Sequence, residues 1–276
     1  MRIVVSRAPS FSTARKEILR AVEKLGARLT TILITHAHAD HFGGVAELVK
    51  RAGATVYAPR LEADIVEAPI WEPLYLCSGA APIQELRRKF TLAPAGVVHH
   101  RLDAGAWSSG PFRLELISLY GHAPRQLGAL WGDVLFTADA FFPIETLEKH
   151  GIPFCVDMDE ALRTLTWLEG TAYRWYAPGH GPAIAQPAAL CAANRQRLEE
   201  IRALCLERTQ EPAQVADVIA YVTGRLGVTL RDATAFLLSQ TTILAALTSL
   251  QRAGQVVLDV SDNRLWWKGV GNCRKG

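Results

Sequence analysis

The chain lacks most of what marks several large protein classes. Its 5 cysteines are an odd, scattered set without a Cys-x-x-Cys pair. That argues against a disulfide framework and fits a reducing compartment, so a cytoplasmic protein is expected. The net charge is only +3. Without a surplus of cations, composition calls for neither a nucleic acid nor an anionic membrane as partner. The opening MRIVVSRAPSFS holds no apolar core of signal-peptide length, and no later run reads as long and uncharged enough to cross a bilayer. What remains is an ordinary globular composition, 49% hydrophobic and 21% charged, over 276 residues. That length holds one large domain, or a catalytic domain with a small appendage.

Histidine is scarce too, with 8 in the chain, and this makes LITHAHADHFGG (33–44) conspicuous. His36, His38 and His41 fall there within six positions, with Asp40 among them and Gly43-Gly44 close behind. RIVVS reads as a short strand, broken by Pro9, Ser10 and Ser12. Thr13 is placed to cap a helix that carries Ile18, Leu19, Val22 and Leu25 on one face and stops at Gly26. LTTILIT (29–35) reads as a buried strand, so the histidine cluster lies in the loop at its C-terminal end. VAELVKRAG (45–53) predicts a helix and ATVYAP another strand, which together point to α/β layering. The stretch 66–96 is rich in proline and aromatics and weakly periodic, as in a long loop arching over a site. Strand-like runs follow in GVVHHRL, PFRLELISL, DVLFTAD and RWYAPGH. Three such runs lead into a potential ligand: LISLYGH into His122, VLFTAD into Asp139 and WYAPGH into His180.

Imidazole and carboxylate ligands suit zinc or iron. In a turning loop His36 and His38 can point the same way, while Asp40 and His41 turn toward a second ion. The glycine pair leaves room for the next helix to pack closely. The strand-end residues His122, Asp139 and His180 supply the ligands that the loop alone cannot.

The run Thr35-His36-Ala37-His38-Ala39-Asp40-His41, followed by Gly121-His122, Ala138-Asp139 and Pro178-Gly179-His180-Gly181, resembles the signature of the metallo-β-lactamase superfamily over about residues 1–185. The resemblance implies an αβ/βα sandwich with two sheets back to back. It also implies one metal on His36, His38 and His122, a second on Asp40, His41 and His180, and Asp139 bridging them. A bridging aspartate resembles the hydrolase branch, such as glyoxalase II and lactonases. Two departures stand out. Ser6-Arg7-Ala8 occupies the slot of an Asp-Thr-Gly-like turn, so the first hairpin and its acidic residue are missing on this reading. Arg125 stands where the third-histidine loop usually carries a glycine.

The expected activity is a dinuclear zinc hydrolase, with iron or manganese as other candidate ions, acting on an ester, thioester or lactone. A metal-bridging hydroxide attacks the carbonyl carbon, and Asp40 doubles as acceptor of the water proton. Trp71 and Tyr75 are candidate apolar walls for a small-molecule substrate. Lys149 is a candidate for orienting a substrate anion, set against the usual solvated role of a lysine. The alternatives are a phosphodiesterase or ribonuclease, which no basic stripe supports, and a single-iron persulfide dioxygenase, which would leave His41 and His180 idle. His99-His100 reads as a solvated strand end, His150 as structural, and Cys155 with the other cysteines as small buried apolar residues.

Residues 1–188 are thus expected to form the catalytic domain and 189–276 a small winged-helix-like one. LCAANRQRLEEIRALCLERT reads as a charged linking helix. Val215, Val218, Ile219, Val222 and Leu226 form one apolar helical stripe, and Ile243, Leu247 and Leu250 another that Gly254 ends. QVVLDV, a Ser-Asp-Asn turn and RLWWKGV predict a hairpin. The would-be recognition helix, 241–253, offers only Arg252 to phosphates, and the wing carries Asp259 and Asp262. This favours a packing or lid module, resting on the catalytic domain or on a second copy in a homodimer, over nucleic-acid binding.

Overall fold

The computed structural model describes residues 11–271. The strand expected at RIVVS, the turn at Ser6-Arg7-Ala8 and Cys273 lie outside them. The chain divides into two compact units, one formed by residues up to Ala140 with Ala172–Gln186, the other by Phe141–Thr171 with the chain from Pro187 onward. This differs from the expected division at 188/189, because the excursion 141–171 groups with the C-terminal helices.

In the first unit α1 (Phe11–Lys24) already contains Thr13, which is therefore not its cap. The helix does end at Gly26, where φ is +56° and the amides of Gly26 and Ala27 turn back onto the carbonyls of Glu23 and Val22. A parallel sheet follows, in the order β1 (Thr31–Leu33), β2 (Thr55–Pro59), β3 (His100–Leu102). Against one of its faces pack the short α2 (Ala39–Phe42), α3 (Val45–Ala52) and α4 (Arg60–Glu67). Phe42, Val45, Val56, Ala58, Ala63 and Val66 are at most 3% exposed in that layer. Each larger side chain stabilises the layer by about 1.5–3 kcal/mol relative to exposure.

Side chains alternate along a strand, so Leu33 and Leu102 point the other way. They meet Leu114, Leu116, Leu127 and Ala129 of a second, five-stranded sheet. Its strands run in chain order: β4 (Gly105–Ser109), β5 (Phe112–Ser118), β6 (Leu127–Trp131), β7 (Val134–Ala138) and β8 (Trp175–Pro178). Neighbours are antiparallel except β7 and β8, which are parallel with a bulge at Phe136/Ala138. Sequence reasoning missed β4 and β6. In β6 a Cβ on Gly128 would fall 2.5 Å from Leu119 Cδ1 and 2.9 Å from the Phe136 carbonyl oxygen, so the crowded sheet takes glycine inside a strand.

The stretch 66–96 is not one long loop. It contains α5 (Trp71–Leu76) and a 3-10 turn (Gln84–Arg87), with Leu76 and Leu86 buried. Pro73 falls in the first turn of α5, where its missing N–H breaks no intrahelical bond.

The second unit comprises α6 (Ile144–His150), α7 (Met158–Glu169), α8 (Ala188–Arg208), α9 (Val215–Arg225), α10 (Ala233–Arg252) and a hairpin of β9 (Val256–Ser261) and β10 (Arg264–Gly269). The excursion belongs here because α6 packs on α8 and α7 packs on α8 and α10. Helix α10 starts at Asp232, whose side chain accepts from the Ala235 amide, well before the expected residue 241. By length and composition it could cross a membrane, contrary to the expectation from sequence. Here Ile243, Ala246, Leu247 and Leu250 are buried in the unit's core, beside Val218, Ile219 and Val222 of α9. The hairpin turn has Asp262 and Asn263 at φ +52° and +59°, the backbone that suits the twist of a two-residue connection.

Candidate metal centre

Each expected ligand follows the C-terminal end of a strand in the first unit. Thr35–His38 leave β1, and the loop is pinned where the Leu127 amide donates to the Thr35 carbonyl. His38 is extended and precedes α2, whose single turn holds Asp40 and His41, so half of the motif is helical rather than loop. Gly43 and Gly44 join α2 to α3, both at negative φ. His122 follows β5. Asp139 follows β7 at the bulge, where Ala138 is held at φ +47°, a strained position for a residue with a side chain. His180 follows β8, and the Gly179 amide donates to the Ala138 carbonyl at 2.7 Å. A Cβ on Gly179 would lie 2.1 Å from Asp139 Oδ1 and 2.9 Å from His41 Cε1, so only glycine fits against the cluster.

The seven side chains converge. The nitrogens of His36, His38 and His122 lie within 4.8 Å of one another, as do ligand atoms of His36, His41 and Asp139 and of Asp40, His41 and His180. His38 Nδ1 and His122 Nε2 are 2.8 Å apart. Asp139 Oδ2 stands 3.4 Å from His41 Nε2, 3.5 Å from His122 Nε2 and 3.3 Å from His180 Nε2. Asp40 Oδ2 is 3.3 Å from His180 Nε2.

The donor set fits a cation. His36 Nε2, His41 Nε2 and Asp139 Oδ1 are buried without a hydrogen-bond partner, and each such atom costs about 1–3 kcal/mol if nothing satisfies it. Burial, then the charge of His41, holds His36 well below the ordinary histidine value. Burial and His122 bring His38 to about 3. Both are therefore neutral imidazoles, the form that binds a metal. Burial works against ionisation of Asp139 and Asp40, yet the histidines around them prevail. Asp139 lies well below the carboxylate range and Asp40 at about 2. His180, hydrogen-bonded to Asp139 and Asp40, is raised to about 10.

Some supporting residues escaped sequence reasoning. Thr35 Oγ1 lies 3.2 Å from His36 Nδ1 and orients that ring. Buried Gln126 donates to the Leu119 carbonyl and accepts from the Asp139 amide, tying two ligand loops together. Thr35 opens the recognised motif without a role of its own there, and no spacing rule points to Gln126.

Trp71 and Tyr75 are exposed on α5, while Glu72 between them is buried. Burial, with the charges of Asp40 and Glu62, pushes the Glu72 carboxyl well above its ordinary value. Arg125 is exposed. Its guanidinium lies 5.1 Å from the Tyr120 ring centroid and donates to the Tyr120 hydroxyl. His99 and His100 are exposed at the end of β3, where His99 Nδ1 accepts from the Val56 amide and His100 stacks on Tyr57. Lys149 and His150 are exposed in the last turn of α6, in the second unit. Cys155, Cys191 and Cys205 are buried, their thiols pushed up to about 12 by burial.

The family model described as Metallo-beta-lactamase superfamily matches residues 8–183. The chain belongs to this superfamily. A likeness of fold extends beyond the matched segment. A beta-lactamase domain protein from Burkholderia ambifaria superposes with a TM-score of 0.72 at 20% identity, covering 93% of this chain and 80% of its own. A metallo-beta-lactamase family protein from Thermus thermophilus gives 0.69 at 19% identity, covering 96% and 88%. Among curated relatives, a hydroxyacylglutathione hydrolase of Albidiferax ferrireducens is 42% identical over 73 residues. That match spans about a quarter of either protein, 26% of each.

Proposed function

We propose that this superfamily member is a dinuclear zinc hydrolase, and that its substrate is a small thioester. The observation that carries the reading is Asp139. Its one carboxylate lies against His122, His41 and His180, so it touches both histidine sets. In this assignment His36, His38 and His122 hold one ion, Asp40, His41 and His180 the other, and Asp139 is shared. A single-iron site would leave His41 and His180 without purpose, whereas both face the carboxylates here. The stretch shared with a hydroxyacylglutathione hydrolase supports the thioester over an ester or lactone.

Two zinc ions would supply a polarised carbonyl oxygen and a water acidic enough to attack it near neutral pH. The chain's own residues do the rest. Asp40, ionised and about a third exposed, accepts the water proton at its carboxylate. His180 Nε2 lies 3.3 Å from a carboxylate oxygen of both Asp40 and Asp139 and orients the two groups. Trp71 and Tyr75 offer apolar surface to the acyl group. We further read the C-terminal helices and hairpin as a winged-helix-like packing module.

Elemental analysis of protein purified without added metal should find close to two ions per chain, with zinc predominant. A panel of glutathione thioesters, lactones, simple esters and phosphodiesters should give turnover first on the thioesters. Absence of metal, or turnover confined to phosphodiesters, overturns the reading.

A further inference from the structure

We propose that Glu62 is a positioning residue that clamps together the two loops carrying His36, His38 and His122. It lies in the first turn of α4, just after β2 ends at Pro59. A glutamate there ordinarily faces water and complements the helix N-terminus. Glu62 instead is 1% exposed. Its Oε2 accepts from the Ala37 amide at 2.9 Å and its Oε1 from the Arg125 amide at 2.8 Å. Ala37 is the residue between His36 and His38, and Arg125 stands three residues past His122. One carboxylate therefore spans two loops far apart in sequence, using one oxygen for each.

A buried carboxylate is costly unless hydrogen bonds compensate it. Burial raises the Glu62 carboxyl, and the two amides pull it back. The geometry also explains why the residue must be an acid. Both partners are N–H donors, so both oxygens must accept. Glutamine would turn one arm into a donor facing a donor, and aspartate is one methylene too short to reach both amides. The dimension that the clamp sets is the 2.8 Å separation of His38 Nδ1 and His122 Nε2, which belong to its two loops. Gln126 does comparable work between the His122 loop and Asp139 with a neutral amide, because it links one carbonyl to one amide.

The inference rests on the metal-centre reading above, and its test separates the two. Metal-free wild-type, Glu62→Gln and Glu62→Asp proteins are titrated with zinc against a competing chelator, and their metal-free thermal midpoints are recorded alongside. Wild type should take up close to two ions. Glu62→Gln should bind at least one of them about 10- to 100-fold more weakly, the range seen when groups behind a ligand are lost. Glu62→Asp should recover only part of that loss. Wild-type protein that takes up no zinc overturns the metal centre and the clamp together. Wild-type uptake matched in affinity by Glu62→Gln, with only the thermal midpoint lowered, overturns the clamp alone. Should the variant not fold, amide exchange in the metal-free wild type decides. The Ala37 and Arg125 amides should exchange far more slowly than the rest of their loops, and exchange at ordinary loop rates overturns the proposal.

Discussion

Two clusters of polar side chains sit in this molecule and behave in opposite ways. In the second unit, Asp157 caps α7 through the Asp159 and Glu160 amides, Ser249 donates to Asp159 at 2.6 Å, and Arg252 bridges Asp157 and Asp159 at 3.0 and 3.1 Å. These polar groups answer one another. In the first unit, the histidines and aspartates behind the strand ends crowd together but leave buried nitrogens and a carboxylate oxygen without a hydrogen-bond partner. The first arrangement holds a helix junction. The second is incomplete as protein and is explained by an ion. A cluster's unsatisfied atoms, more than its charge, identify it as a place where something binds.

The largest effects should come from breaking the incomplete cluster. His122→Ala and Asp40→Ala should abolish hydrolysis and lower metal content while far-UV circular dichroism stays near wild type. Either variant turning over normally with its metal retained would refute the ligand assignment. Next comes Gly179→Ala, whose new Cβ would collide with Asp139 and His41. Zinc affinity should fall by about 10- to 100-fold, as when a ligand is misoriented, and a chelator competition reads this directly.

The pH dependence of the metal-free protein distinguishes the clusters further. His38 lies at about 3 when folded against 6.5 ordinarily, and His36 is lowered too. Between those values the unfolded chain binds more protons, so stability should drop as pH falls below about 6.5. His180 is raised to about 10, so its contribution is whole below about 6.5 and disappears as pH rises through about 10. Urea midpoints should therefore peak near neutrality, and a midpoint unchanged between pH 7 and 5 would contradict the buried neutral imidazoles.

The complete cluster should yield smaller changes. Ser249→Ala should cost about 1 kcal/mol, the worth of one hydrogen bond, with metal content untouched in the same elemental assay. Smallest of all is the response to nucleic acid. Arg252, the single cation on α10, is engaged by Asp157 and Asp159, and Asp259 of the hairpin is paired with Lys268. Filter binding of duplex DNA by the full chain at physiological salt should show none of the tight, salt-sensitive association that phosphate contacts produce.

The ligands were legible because chemistry and position coincide in them: a histidine or aspartate placed directly after an apolar β run. The helical stripes of α9 and α10 were legible for the same kind of reason, since period and burial agree. Glu62 was not. In RLEADIVE it looks like any solvated helix glutamate, and only the crossing of α4 behind two loops buries it. Gln126 was hidden likewise, and Gly179 was visible as part of the His180 motif but not as a packing residue, because both roles depend on atoms supplied by distant strands. The helices within 66–96 were obscured by their prolines. The excursion 141–171 reads as part of the first domain because a sequence lists neighbours in chain order, while α6 and α7 pack on helices that arrive later.

The strand-end ligands run from residue 36 to residue 180 and depend on both sheets. No local segment can assemble the centre, and β8, which delivers His180, is the last strand to join its sheet in chain order. Contacts of such long range form slowly. A metal centre that draws on all seven groups would thus distinguish a fully paired chain from one still lacking its final strand. Its stabilisation grows with free metal, reaching about 2.7 kcal/mol at a hundred times the dissociation constant. On the metal-centre reading the folded fraction follows the supply of metal around the chain, and the metal-free chain is the more open to proteolysis.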